Sequence, residues 1–390
     1  MSERPSGTDL VFHLEPQGNL GNQMMQYMTA LKFASLVPGC RISNVHLPLW
    51  GIDHPAIWTA GPTALQRAQQ HFNFALADAM NEGRISRVDW TGYGQRMENF
   101  LPHEYYERVF KPPIESSTRF GREYLVCPVR AGDVLHGDAL DYPLTPVEFY
   151  AELVERTGLR PVFVGQTARN AYTLRLRERF PNAEFLASAG PMRDFDMIRQ
   201  SKNIAVGVST FSWLAAWLSH ADNIFMTVSG LLNPMQAIRN DLLPLGDSRY
   251  HFWLFPLNYG VPLAEHAAVH QRIAPYWRLV THDMLGRQHA EAPRVERKLE
   301  PLLAAFDEDH YLSTYSDVVD SIQAGIFTSG REHYIGHGFA EQRFPFPLDR
   351  RWYAVRYPVA ALEVAQGDYA DFAHHYVAIG KARGYSPSPV

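Results

Sequence analysis

The chain has 390 residues and a net charge of −5, and 46% of its residues are hydrophobic against 20% charged. This composition is ordinary for a globular protein, so it excludes a wholly disordered or collagen-like chain, and the length predicts two or three domains. Because the chain has no basic excess, we expect no nucleic-acid partner. One phosphate-bearing small molecule would need only local positive charge.

The cysteine content and the N-terminal sequence indicate the cellular compartment of the protein. Cys40 and Cys127 allow at most one disulfide, which favours a reducing compartment. The polar N-terminus lacks the pattern of a signal peptide, and no apolar stretch approaches the roughly 18 residues of a membrane span. We therefore expect a cytoplasmic protein, with peripheral attachment to the inner face of the membrane left open.

The first predicted elements are a strand at residues 10–15, a turn with two glycines, and a helix that starts at Gln23 with Asn22 as its N-cap residue. A strand, a glycine-rich turn and a helix typically open an α/β domain. Residues 51–111 are rich in aromatic side chains, and we interpret them as helices and loops. They complete a first predicted domain over residues 1–120.

A second series of elements occupies residues 121–286. The predicted strands lie at 124–129, 161–164, 203–208 and 223–228, and the predicted helices at 146–155, 168–180 and 211–219. Strands that alternate with helices predict a mostly parallel sheet. The expected fold class is therefore α/β, with two Rossmann-like domains that face a cleft, the second one over residues 121–286.

An internal repeat follows a charged linker, which we place at residues 287–305. The segment at 306–311 recurs at 348–353, so residues 306–390 form two copies with a period of 42 residues. Each copy is interpreted as two short helices around a central glycine, and residues 385–390 as a frayed tail. We interpret the repeat as a small, mostly helical appendage, with saccharide or partner recognition as the alternative.

Three polar clusters follow predicted strands, at the turns where open α/β sheets bind ligands. The first is GNLGNQ at residues 18–23. Its glycines, Gly21 among them, allow close approach of the backbone to a ligand, and the first N–H groups of a helix can bind an anion. Asn22 and Gln23 add neutral donors. The alternative is a tight turn with a helix cap.

The second cluster is Arg130-Ala-Gly-Asp133, directly after a strand. An arginine there can donate two hydrogen bonds to phosphate oxygens, and Asp133 can accept from a ligand or orient the arginine. A surface Arg–Asp pair is the alternative.

The third cluster is Ser209, Thr210 and Phe211, at the start of an apolar helix. Its hydroxyls and unpaired N–H groups could hold a phosphate, and ordinary Ser/Thr capping is the alternative. Together the clusters predict a phosphate-bearing ligand in an interdomain cleft. No Asp-x-Asp or His/Cys pattern with metal spacing occurs, so we expect no metal and no cofactor.

These clusters also carry a family resemblance. GNLGNQMMQY at residues 18–27 resembles the N-terminal motif of the α-1,2-fucosyltransferase family (glycosyltransferase family 11). Residues 129–133 are similar to its Arg-Arg-Gly-Asp segment and residues 209–218 to its third motif. The resemblance covers about residues 10–280 and leaves out the repeat. Four positions depart from the family's motifs, namely Pro128, Ala131, Val208 and Leu214, and residues 162–166 lack the acidic pair that the family usually has after that strand.

The resemblance implies a GT-B fold and metal-independent, inverting transfer of L-fucose from GDP-fucose to a glycan hydroxyl in bacterial polysaccharide or glycan biosynthesis. It implies that Arg130 and Asn22 are catalytic, with Arg130 on the leaving phosphate. The implied donor-binding residues are Gly21, Gln23, Asp133, Ser209, Thr210 and Phe211. The alternatives are a GT-B transferase with another nucleotide sugar and a non-catalytic glycan-binding or scaffold protein.

No general base can be assigned from the sequence. His13, Asp53 and His54 are candidates for deprotonating the acceptor hydroxyl, and each also has a structural interpretation.

Overall fold

A computed structural model describes residues 9–59, 61–67, 70–111, 120–286 and 297–389. The predicted linker lies outside the described residues over 287–296. The strands are β1 (Val11–Leu14), β2 (Arg41–Ser43), β3 (Val45–Leu47), β4 (Ile52–His54), β5 (Thr63–Gln66), β6 (Arg87–Trp90), β7 (Tyr124–Val129), β8 (Arg160–Gly165), β9 (Glu184–Ala187), β10 (Asn203–Val206), β11 (Asn223–Val228), β12 (Tyr250–Leu254) and β13 (Arg278–Val280).

The helices of the two α/β units are α1 (Leu20–Leu36), α2 (Ala75–Asn81), α3 (His103–Val109), α4 (Val147–Thr157), α5 (Ala171–Arg179), α6 (Pro191–Arg199), α7 (Thr210–Trp217), α8 (His266–Ile273) and α9 (His282–Gly286). The helices of the C-terminal region are α10 (Leu299–Ala304), α11 (Glu308–Thr314), α12 (Ser316–Gln323), α13 (Gly330–His333), α14 (Arg350–Arg356), α15 (Pro358–Ala365) and α16 (Phe372–His375).

Two parallel sheets organise the described residues up to 286. The first has the order β2-β1-β6-β5, and the second has the order β13-β12-β11-β10-β7-β8-β9, in which only β13 is antiparallel to its neighbour. Strands β3 and β4 pair separately as an antiparallel hairpin. The predicted fold class is confirmed: the chain is α/β, with two Rossmann-like units and a helical C-terminal region.

The strand order of each sheet reverses at one point, between β1 and β6 in the first sheet and between β7 and β10 in the second. At such a point the connections from two adjacent strands leave in opposite directions. A crevice therefore opens between them at the carboxyl ends of the strands. Pro128 lies near the end of β7, and the ladder between β7 and β10 pairs only Ile204 with Val126. Proline has no N–H to continue this ladder, so the crevice begins there.

Helix α1 begins earlier than predicted. Its N-cap residue is Asn19, so the prediction that Asn22 caps the helix is wrong. The backbone N–H groups of Asn22 and Gln23 donate to the carbonyl of Asn19, at 2.9 and 3.1 Å. The apolar periodicity starts only after residue 23 because the first turn of α1 faces a polar cleft instead of the core.

The interpretation of residues 51–111 as helices and loops is also wrong, since β4, β5 and β6 lie there. β6 is only four residues long, so the alternation of polar and apolar side chains in Arg87, Val88, Asp89 and Trp90 spans just two periods. So short an alternation does not distinguish a strand from a loop.

Each repeat copy contains three helices instead of the predicted two. Gly325 and Gly367 adopt positive φ values of 74° and 85° and follow the second helix of each copy. Residues 385–389 are not frayed as predicted, and residue 390 lies outside the described residues. Asp349 donates its backbone N–H to the carbonyl of Pro387 (3.1 Å), as Asp307 donates to Pro345 in the first copy (2.8 Å).

The two copies pack into different parts of the core. The second copy contributes Tyr353, Val364 and Phe372 to a hydrophobic cluster that also contains residues of both sheets. In the first copy, Tyr311 and Val318 belong to a separate cluster under α10 to α13, which also contains Ala373 of the second copy. The second copy is therefore part of the main core and not a loosely attached appendage.

Candidate functional site

A cleft of about 790 Å³ opens between the two α/β units. It is formed by the segments that follow β1, β7, β8, β9 and β10, so it lies at the reversal points of both sheets. This volume is in the range of small-molecule sites, roughly 300 to 1,000 Å³. The cleft-lining residues used below are Gly18, Gly21, Asn22, Arg130, Asp133, Tyr142, Gln166, Asp194, Ser209, Thr210 and Phe211.

Asn22 connects the two units across the cleft. Its Oδ1 accepts hydrogen bonds from Gln95 Nε2 at 3.0 Å and from Thr210 Oγ1 at 3.1 Å. Gln95 in turn accepts from Asn240 Nδ2 at 2.8 Å. The Nδ2 group of Asn22 has no partner among the described residues, so it can donate to a ligand oxygen.

Gly21 allows the first turns of α1 and α7 to touch. A Cβ atom at this position would lie 2.8 Å from Thr210 Oγ1 and 2.9 Å from the backbone nitrogen of Phe211. The sequence predicts that a ligand approaches the backbone at this glycine. In the structure the start of α7 makes this close approach, although Gly21 also lines the cleft. Two helix N-termini, each with a partial positive charge, lie together here.

Ser209 caps α7. Its Oγ accepts from the backbone nitrogens of Phe211 (3.1 Å) and Ser212 (3.3 Å), so the ordinary capping that the sequence allowed is present. A hydroxyl that accepts two bonds still has its hydrogen to donate, and it can point that hydrogen at a ligand in the cleft. The ring of Phe211 packs against Phe195, at 5.4 Å between centroids.

The guanidinium group of Arg130 is held along one edge by Asp133 and on one face by Tyr142. Its Nη2 and Nε lie 2.6 and 3.3 Å from the carboxylate oxygens of Asp133, and its Cζ lies 4.3 Å from the ring centre of Tyr142. The hydrogen bond from Arg130 lowers the pKa of Asp133. The Arg–Asp pair allowed by the sequence thus exists inside the cleft, where it fixes the direction of the guanidinium group.

Among the predicted donor-binding and catalytic residues, Gln23 alone does not line the cleft. Its Nε2 folds back and donates to the carbonyl of Gly18 at 2.9 Å. Tyr142, Gln166 and Asp194 also line the cleft, although none of them is among the predicted site residues. Gln166 follows the predicted strand at 161–164 and could have been found by the same strand-end rule, whereas no local pattern marks Tyr142.

The three candidate bases lie outside the cleft lining. His13 Nδ1 is 3.0 Å from Ser43 Oγ, and His54 Nε2 is 3.0 Å from the hydroxyl of Tyr27. Asp53 pairs with His46 at 3.3 Å on the β3–β4 hairpin.

The described ranges show neither a metal-binding cluster nor a membrane-spanning helix. Within those ranges, no group of three or more His, Cys, Asp or Glu side chains is placed to hold a metal ion. No helix of the described residues has both the length and the apolar character required to cross a bilayer.

Comparison with known proteins gives only distant structural similarity. No protein-family model matches the chain, and no curated protein matches it in sequence. An Arabidopsis thaliana FUT1 variant in complex with GDP is 9% identical, with a TM-score of 0.37, over 58% of this chain and 71% of that chain.

Two structures of TibC are also similar. One is the bacterial iron-containing dodecameric glycosyltransferase from enterotoxigenic E. coli, 12% identical over 56% of this chain and 58% of that chain, with a TM-score of 0.29. The other is the iron-containing heptosyltransferase with ADP-D-β-D-heptose, 11% identical over 56% and 59%, with a TM-score of 0.31. At these low values, function has to be inferred from the residues of the cleft.

Proposed function

We propose that the chain is a glycosyltransferase that takes a sugar from a nucleoside diphosphate sugar, with GDP-fucose as the preferred donor. It transfers the sugar to a glycan hydroxyl with inversion and without a metal. The observation that carries this proposal is the convergence of three sequence-distant clusters, at Asn22, Arg130 and Ser209–Thr210, on one cleft between two parallel sheets. The resemblance of the motifs at 18–27 and 209–218 supports fucose as the sugar.

The residues of the cleft suit a leaving diphosphate. Negative charge grows on that group as its bond to the anomeric carbon breaks, and donors already fixed in place stabilise such charge without reorganising. The N-termini of α1 and α7, the hydroxyl of Ser209 and the guanidinium of Arg130 are such donors. Asp133 and Tyr142 hold Arg130 in position, and Asn22 offers its Nδ2 group to the sugar or the phosphates.

Nucleotide titration tests the donor. We expect GDP to bind to the purified chain in calorimetry, and UDP, dTDP and ADP to bind more weakly. Binding of one of the other nucleotides in place of GDP would remove the fucosyl assignment and favour a transferase with a different donor. Absence of binding by all four would favour the non-catalytic alternative.

Arg130→Ala tests the site. Loss of one fixed charge-stabilising donor typically costs about 2.7–4 kcal/mol in the transition state, so we expect the rate of transfer to fall by about 10²–10³-fold with an unchanged thermal midpoint. Arg122→Ala is the matched control, because Arg122 forms a 2.7 Å pair with Asp222 away from the cleft lining. Equal turnover by the Arg130 and Arg122 variants would contradict the site assignment.

A further inference from the structure

A second cavity of about 430 Å³ adjoins the cleft and shares Asn22 and Tyr142 with it. Its remaining lining comes from the segments that follow β5, β6, β7 and β11. The polar residues of this lining are Gln70, Tyr93, Gln95, Asp141, Arg239 and Asn240. A ligand that reaches both cavities has to pass between Asn22 and Tyr142.

The chemistry of this lining suits a sugar. Amide and phenol groups both donate and accept hydrogen bonds, as sugar hydroxyls do, and the faces of Tyr93 and Tyr142 can pack against an apolar sugar face. Asp141 is the one carboxylate among the residues described as lining this cavity.

The surroundings of Asp141 fix it in place. Its Oδ1 accepts from Gln236 Nε2 at 3.2 Å, and the buried Gln236 is itself fixed by two hydrogen bonds to the backbone of Asn258. The backbone carbonyl of Asp141 accepts from the nitrogen of Leu231 at 2.7 Å. Oδ2 has no partner among the described residues, so one oxygen of a rigidly held carboxylate is free to accept.

The other carboxylates of the two cavities are engaged. Both oxygens of Asp133 are hydrogen-bonded to Arg130. The two oxygens of Asp194 accept from Ser188 Oγ and from the backbone nitrogen of Ala189.

We propose that the smaller cavity holds the acceptor sugar and that Asp141 accepts the proton of its reacting hydroxyl. This inference rests on the proposed function. The hydroxyl oxygen forms the new bond to the anomeric carbon of the donor. The bond from that carbon to the phosphate oxygen breaks, and its electron pair stays on the leaving diphosphate. The proton moves to Oδ2 of Asp141 and is later lost to water.

The first test uses Asp141→Asn with GDP-fucose and a panel of methyl glycosides as acceptors. Loss of a general base lowers turnover by about 10²–10⁴-fold, so we expect a fall of that size with GDP affinity within twofold of the wild type. The fall in rate of the wild type on acidification should be absent in the variant. Asp138→Asn, an exposed carboxylate three residues earlier, is the matched control.

A change of less than tenfold in Asp141→Asn, or retention of the acidic fall in rate, would overturn the role of Asp141. The cavity is tested separately, by saturation-transfer NMR of the methyl glycosides with the wild type and with Tyr93→Ala. Loss of the signal in Tyr93→Ala supports the acceptor cavity, and equal signals or no signal with either protein overturn it. Failure of the proposed function alone would instead appear as absence of nucleotide binding with glycoside binding retained.

Discussion

Gly21 lies at the contact between the two α/β units. Alanine is favoured over glycine in a helix by about 0.5–1 kcal/mol, so the residue is not there for the stability of α1 itself. The distances of 2.8 and 2.9 Å from its missing Cβ to Thr210 and Phe211 involve a backbone atom that cannot move aside. The steric requirement thus outweighs helix propensity at this position.

Gly21→Ala should therefore lower both stability and nucleotide affinity. Overpacking typically costs about 1–3 kcal/mol, more than the gain in propensity, and relief of the clash would separate the starts of α1 and α7. Urea unfolding and calorimetric titration with GDP measure the two effects. Gly246→Ala is the control, because its Cβ would meet open space and its φ is not positive. Similar behaviour of the two variants would show that the contact is not rigid.

The sequence predicts part of the site. The clusters at Gly21–Asn22, Arg130–Asp133 and Ser209–Phe211 are local patterns that follow strands, and the fold brings them to one cleft. Gln95 and Asp141 could not be found in this way. Their positions in the site come from contacts with residues far away in the chain, as in the bond from Gln95 to Asn22, and no local spacing encodes such contacts.

Helix α8 carries two buried histidines, His266 and His270. Burial lowers the pKa of His266 to about 4 and that of His270 to about 3, with a further contribution to His270 from His266 and Arg175. Both values lie below the ordinary value of about 6.5, so the folded protein favours the neutral rings. The resulting stability is complete above about pH 6.5 and is lost as the pH falls towards 4 and 3, because the unfolded chain binds these protons first.

Replacement of His270 should reduce this acid sensitivity. Each pKa unit corresponds to about 1.36 kcal/mol, so between pH 7.5 and 5 His270 accounts for about 2 kcal/mol of the loss in unfolding free energy. Between these two pH values, we expect the unfolding free energy of His270→Leu to fall by about 2 kcal/mol less than that of the wild type. Urea titrations at both pH values measure the difference. His220→Leu, at an exposed histidine, should behave like the wild type. An unchanged pH dependence in His270→Leu would contradict the assignment.

The repeat shows what a periodic pattern encodes at the level of elements. A Cβ at Gly338 would lie 2.0 Å from the hydroxyl of Tyr311, and one at Gly380 would lie 2.4 Å from that of Tyr353. Each hydroxyl also bonds to a buried histidine, at 3.1 Å in the first copy and 2.9 Å in the second. The matched Tyr, His and Gly positions of each copy thus pack together as one unit. The repeat of these positions could be predicted from the sequence, but their contacts could not.

At the scale of the whole molecule, the two α/β units are joined by backbone and side chains. Arg96 and Asp241 form a parallel β-bridge, and Met97 donates to the carbonyl of Asp241 at 2.7 Å. One hydrophobic cluster contains Phe12 of the first sheet, Trp213 of α7 and Val364 of the second repeat copy. We therefore expect these parts to unfold together.

A pair of substitutions tests this division of the core. Val364 and Val318 are both fully buried, but Val364 belongs to the shared cluster and Val318 to the separate one. Val364→Asp should lower the thermal midpoint of the whole molecule and abolish GDP binding at 37 °C, since an unpaired buried charge is strongly destabilising. Val318→Asp should unfold the first copy and leave GDP affinity near that of the wild type. Equal loss of binding in both would mean that the two clusters are not independent.

Strands β7, β8 and β11 could be predicted because they are long, apolar and bounded by turns, whereas β9 and α6, which lie between β8 and β10, were not predicted. The integration of the second repeat copy could not be predicted. It depends on contacts such as the backbone bond from Leu257 to Ala361, which join segments that are remote in the chain.

The meeting of two helix starts at Gly21 also determines over what distance the cleft attracts an anion. Helix-end dipoles act within about one turn, whereas net charge acts over about 10 Å at ordinary salt concentrations. With a net charge of −5, the chain as a whole repels a nucleoside diphosphate. Arg130 adds little attraction at a distance, because it is already paired with Asp133. Attraction of a donor would begin only inside the cleft, so encounter would be governed by diffusion into its mouth, and added salt, which screens the net repulsion, would not slow it.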